Sequence, residues 1–109
     1  MNNQEAFNKI WERAKIPRKA LSPGGCVYRA PDGLKCFVGE LIPDDQYESG
    51  LEGHNARELC RMEECPSVLR GLDVTFLTVC QGIHDAYTPD MWAARLRMLA
   101  KSYGLTVPE

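Results

Sequence analysis

The residues best placed to do chemistry lie in "CVYRAPDGLKCFVGELIPDD", residues 26–45. "PDG" between two apolar-rich runs predicts a hairpin whose short loop is closed by Gly33 at positive φ. Ala30 then faces Leu34, Tyr28 faces Cys36, and Arg29 stands directly across from Lys35. Like charges opposite each other on a ribbon repel. A guanidinium fork beside an ammonium is, however, a good grip for a phosphate. Tyr28 and Phe37 on the same strands, or Tyr47 beyond them, would supply a stacking surface for a base. Arg18 and Lys19 lie just upstream. The plainer alternative is that both side chains extend into water, or that Glu40, Asp44, Asp45 or Glu52 neutralises them.

The second chemical pattern is His84-Asp85, with His54 upstream. Metal-dependent phosphohydrolases of the HD type need further His and Asp ligands than two histidines allow. Structural zinc needs four converging ligands, and neither Cys60/Cys65 with His54 nor Cys26/Cys36 has the usual knuckle spacing. No metal and no cofactor is therefore expected. A nucleophile pair of Cys26 or Cys36 with His84, oriented by Asp85, requires a proximity that sequence does not display. Buried free thiols are the ordinary state of such cysteines. Asp85 falls near a helix C-terminus, where the dipole disfavours a carboxylate. It is expected to be held by a positive or N–H-donating partner: Arg29, Lys35 or the helix start at Thr88–Met91.

These residues need elements to position them. Phe7, Ile10, Trp11 and Ala14 recur at helical spacing, predicting a helix over 4–15 that Pro17 stops. "VGELIP" reads equally as a strand end or a helical turn. Asn55 and Glu58 form a capping box for a helix to about Glu64, and Pro66 to Gly71 makes a short helical piece. Phe76, Val79, Cys80, Ile83 and Tyr87 predict a helix over 73–86, with His84 at the border of the stripe. Thr88 and Pro89 start the last helix, whose stripe is Trp92, Leu96, Leu99 and Tyr103 and whose end is Gly104. The fold class is α+β: one small, mostly helical domain over residues 1–109 with one β-hairpin.

Length and composition agree. A chain of 109 residues with 44% hydrophobic and 26% charged residues builds one core without staples. A net charge of -2 argues against a general nucleic-acid binder. The start "MNNQEAFNKI" lacks the apolar core of a signal peptide, and no apolar run approaches a membrane span. Five cysteines without C-x-x-C suit a reducing compartment, so a cytoplasmic location is expected.

The stretch "CVYRAPDGLKCFVGELIPDDQYESGLEG" resembles a motif, C-x-Y-R-x-x-x-G-x-K-C-x-x-G-x-L-I-P-D-x-x-Y followed by E-G, of small phage and prophage proteins. "QGIHDAYTPDMWAARLRMLAKSYGL" is similar to their Q-x-x-H-D, tryptophan and Y-G-L elements. The resemblance implies a phage accessory protein in a host-cell cytoplasm, acting on host defence by binding. Joined to the cation pair, it gives the leading expectation: capture of an anionic small molecule, such as a cyclic or ADP-ribose-like signal nucleotide, without catalysis. The ligand-binding residues would be Arg29, Lys35, Tyr28, Tyr47, His84 and Asp85. A protein-binding inhibitor of a host nuclease or defence effector, using Asp44, Asp45, Glu48, Glu52, Glu63 and Glu64, is the alternative. A small hydrolase built on His84 and Asp85 is the third, and homo-oligomerisation stays open.

Overall fold

The first helix, α1 (Asn3–Arg13), starts at a capping box in which Asn2 and Glu5 exchange side-chain-to-backbone hydrogen bonds. The structure is a computed structural model that describes residues 1–108. Phe7, Ile10 and Trp11 of α1 are buried, as their spacing predicts. After the connector, β1 (Leu21–Ser22) and β2 (Gly25–Cys26) pair antiparallel, Leu21 with Cys26. Gly25 in the left-handed region (φ +118°) lets the chain reverse there.

The predicted hairpin over 26–37 contracts to a single antiparallel bridge, Arg29 opposite Lys35. Its register is the one the loop length dictates: Ala30 N–H donates to Leu34 O (2.8 Å) and Cys36 N–H to Tyr28 O (3.2 Å), with Gly33 at φ +91°. The ladder stops because its neighbours are claimed elsewhere. The Glu52 carboxylate accepts from the N–H groups of Tyr28 and Arg29, and Val38 N–H donates to Gln81. Beyond Phe37 the chain coils into a 3-10 turn, Gly39–Leu41, so "VGELIP" is a helical turn. Further 3-10 turns follow at Asp44–Gln46 and Ser49–Leu51.

Helix α2 (Ala56–Arg61) has the capping box of Asn55 and Glu58 but ends three residues before Glu64. Met62 is extended, and Arg70 Nη2 donates to the carbonyls of Met62 and Glu63. A 3-10 turn at Ser67–Leu69 leads to α3 (Val74–Ala86), capped by Asp73 onto Thr75 and Phe76. Pro89 opens α4 (Pro89–Ser102), and Gly104 at φ +65° follows its end. The core face of α3 is rotated from the predicted stripe: Leu77 and His84 are buried, while Val79 is 40% exposed. The reason is tertiary. His84 is drawn inward between Phe37 and Trp92, with ring centroids 5.3 and 5.4 Å away.

The result is one domain, about half helical, with four α-helices and one two-stranded hairpin among the described residues. α3 packs on α2 and α4, and α1 packs on α4 and the Gly39–Leu41 turn. Phe37, Trp92 and Leu96 are fully buried at the centre, where each such side chain contributes about 1.5–3 kcal/mol. No described helix is long and apolar enough to cross a membrane.

Candidate functional site

The Arg29–Lys35 bridge projects both cations toward Pro43–Tyr47, and one carboxylate meets them. Asp44 Oδ1 lies 2.8 Å from Arg29 Nη1 and 4.0 Å from Lys35 Nζ. Arg29 is further held by Ile42 O (3.0 Å) and stacks over the Tyr47 ring at 4.4 Å. Tyr47 in turn donates its hydroxyl to Glu52 (2.7 Å). Arg29 thus does structural work, tying the bridge to the following turns. Its Nε is buried without a partner. The repulsion that the pairing implies is offset by Asp44, one of the four neutralising carboxylates the sequence offers.

That offset is incomplete. Two cations share a carboxylate whose side chain is 87% exposed. Lys35 lines a hollow of about 370 Å³ with Lys9, Glu40, Ile42, Pro43 and Asp44. Among the described residues, Lys9 has no carboxylate within ion-pair distance. Sequence reasoning did not single out Lys9, because its approach to Lys35 requires α1 to pack against the Gly39–Leu41 turn.

The other candidates gather on a different face. Tyr28 and Asp85 line a polar cleft of about 250 Å³ with Cys26, Glu52, His54 and Gln81. The Tyr28 ring is buried, and its hydroxyl donates to His54 O (2.6 Å), which leaves it poorly placed to stack a base. Burial and the neighbouring acidic groups raise its pKa. Phe37 is buried against Trp92 and forms no outer wall. Tyr47 is the one predicted stacking residue that sits beside Arg29.

His84 is 0% exposed, and both ring nitrogens are engaged. Its Nε2 accepts from Ala20 N–H (3.2 Å), so the proton resides on Nδ1, which donates to Asp85 Oδ1 (2.9 Å). Asp85 also accepts from Gln81 Nε2 (3.0 Å), and Lys19 Nζ donates to its backbone carbonyl (2.9 Å). Asp85 therefore has N–H-donating partners, as expected, but neither Arg29, Lys35 nor the start of α4 is among them. The donors come from its own helix because Gln81 lies one turn back and His84 is adjacent.

Cys26, His84 and Asp85 bring ligand atoms within 4.8 Å of one another. A metal on Nδ1 would place the proton on Nε2, facing the Ala20 N–H donor, so this histidine does not fit a metal. Nor is Cys26 an activated nucleophile. Burial, and then the Asp85 carboxylate, push its thiol up to about 11. Burial takes the Cys36 thiol to about 12. Cys26 has Asp85 as its hydrogen-bond partner, while the Cys36 sulfur accepts from Gly39 N–H (3.3 Å). The cluster joins the connector, β2 and α3.

Burial pushes the Asp85 carboxyl up, but hydrogen bonds from His84, Cys26 and Gln81 outweigh it and hold the pKa below the ordinary 3.8. A depressed carboxyl stabilises the fold above its unfolded-state pKa, and that contribution fades as pH falls through the lower folded value. Asp85→Asn is expected to cost about 1 kcal/mol at pH 7. Urea unfolding should show the gap between parent and variant closing below pH 3.8. An equally stable variant at pH 7 would remove Asp85 from the structural account.

Compared with models of known families, with curated proteins and with solved structures, the chain matches none.

Proposed function

We propose that this protein is a non-catalytic, phage-type accessory protein that captures an anionic small molecule, such as a cyclic or ADP-ribose-like signal nucleotide. The observation that carries the reading is the sharing of one exposed carboxylate by Arg29 and Lys35, beside an unpaired Lys9. An anionic group entering the hollow would meet Lys9 and Lys35 and displace Asp44, which Arg29 holds from behind at 2.8 Å. A volume of about 370 Å³ is of ligand size. The counter-defence setting comes from the resemblance to small phage and prophage proteins. In this reading the Asp85 cleft lies outside the site, since no lysine or arginine lines it to offset Glu52 and Asp85, whereas Lys9 and Lys35 stand with Glu40 and Asp44 in the hollow.

Thermal unfolding with pyrophosphate, cyclic dinucleotides and ADP-ribose tests this. A ligand at a hundred times its Kd should stabilise the fold by about 2.7 kcal/mol. Lys35→Glu should abolish the shift, and Asp44→Asn should enhance it. The absence of stabilisation by any of these at millimolar concentration would defeat the proposal.

The alternative inhibitor has one observation in its favour: Asp45, Glu48, Glu63 and Glu64 are exposed and free of ion pairs among the described residues. Exposed carboxylates without partners in the chain suit a basic cleft. Asp44 and Glu52, by contrast, are used within the chain. Pull-down from host lysate, repeated with those four residues neutralised, separates the two readings.

A further inference from the structure

We propose that the groove between α3 and α4 docks an amphipathic helix of a partner protein, one that carries an acidic side chain on its apolar face. The groove measures about 480 Å³ and lies between Val79, Gly82 and Ile83 of α3 and Arg95, Met98 and Leu99 of α4. None of its lining residues belongs to the Lys9–Lys35 hollow or the Asp85 cleft.

Three observations specify the occupant. The walls are apolar yet open to water, with Val79 40% and Met98 61% exposed. An open trough between two helices suits a third helix laid along it. Methionine on such a wall repacks around a partner at low cost.

Gly82 is the second observation. Glycine inside a helix is unfavourable by about 1 kcal/mol relative to alanine. A Cβ built there meets nothing within 4 Å beyond its chain neighbours and the backbone of its own helix, so tertiary packing does not require the glycine. Its effect is to leave the α3 backbone bare at the groove, where another backbone can approach closely.

Arg95 sets the charge. Its guanidinium lies 4.3 Å over the Tyr87 ring at the groove, and no carboxylate of the described residues pairs with it. A lone cation held flat at the edge of an apolar trough is complementary to a single acidic side chain.

The test uses synthetic helical peptides with a Leu/Ile stripe and one Glu placed at successive positions, each with a Glu→Lys twin. Binding is followed by fluorescence anisotropy and by amide shifts in the labelled protein. At least one Glu peptide should bind, with shifts centred on Val79, Gly82 and Met98. Arg95→Glu should weaken it at least tenfold and favour its Lys twin. Gly82→Ala should raise the melting temperature of the free protein while weakening the peptide, which separates folding from docking. The proposal is overturned if no peptide binds at millimolar concentration, or if Glu and Lys peptides bind alike. Tighter peptide binding by Gly82→Ala also overturns it. So does displacement of the peptide by decanoate at lower concentration, which would mark a small-ligand groove. Sedimentation showing self-association blocked by Met98→Glu would assign the face to a second copy instead.

Discussion

Arg13→Ala is expected to lower stability by about 3 kcal/mol, among the largest effects of any single polar change in the molecule. Arg13 ends α1 as a buried side chain, 4% exposed. Its Nε donates to Lys35 O, Nη1 to Ile16 O (3.1 Å) and Nη2 to Arg18 O (2.8 Å). No carboxylate pairs with it among the described residues. Burial lowers its pKa and nearby Glu40 raises it in part, but a guanidinium keeps its charge at any working pH. Three neutral carbonyls thus compensate one charge, while the guanidinium Cζ lies 5.8 Å from the centroid of the Trp92 ring.

Alanine would leave those three acceptors with reduced solvation and open a void over Trp92. Recovery of the guanidinium's own desolvation energy limits the loss, which is why the figure is not higher. Lysine should rescue little, because one ammonium cannot span carbonyls from residues 16, 18 and 35. Urea unfolding of the Ala, Lys and Met variants checks this. A Met variant as stable as the parent would show that shape, not the three hydrogen bonds, is what the position needs. A loss of this size corresponds to about 10–20 °C in melting temperature for a domain of this length.

Gly39→Ala is the second large effect, expected at about 3 kcal/mol. Gly39 has no positive φ, so backbone conformation does not demand glycine there. Space does. A Cβ would stand 2.2 Å from Tyr28 O and 2.9 Å from its carbonyl carbon, both backbone atoms with no rotamer to change. The same carbonyl accepts from Cys36 N–H, so the methyl group would push the Arg29–Lys35 bridge away from the turn that follows it. Loss of any ligand response at the Lys9–Lys35 hollow should accompany the loss of stability. Gly50→Ala is the control: its Cβ meets only the Glu48 carboxylate at 3.9 Å, and stability should be unchanged. If the two variants unfold alike, the close approach at Gly39 is not a constraint.

Local features were legible in the chain. The Asn55–Glu58 box, Pro89 at the start of α4, and the glycines at 33 and 104 act within a few residues of themselves. The Arg29–Lys35 pairing was equally readable, because a short loop dictates which residues oppose each other. Capping and turn formation depend on nearest neighbours, which a sequence lists in order.

Long-range placement was not legible. Glu52 ends the predicted hairpin early by reaching back 23 and 24 residues to two backbone N–H groups. Ala20 N–H, 64 residues from His84, decides which nitrogen of that imidazole carries the proton. The charge balance of the hollow depends on Asp44 turning toward Arg29 and on α1 bringing Lys9 to the same hollow as Lys35. Arg13, at the end of α1, is claimed by the nearby carbonyls of Ile16 and Arg18 and by that of Lys35, 22 residues away. Periodicity reports which face of an element is apolar, and capping reports where the element stops. Which polar group finds which partner is decided when those faces pack, because a buried donor must take whatever acceptor the closed core leaves within 3 Å or so.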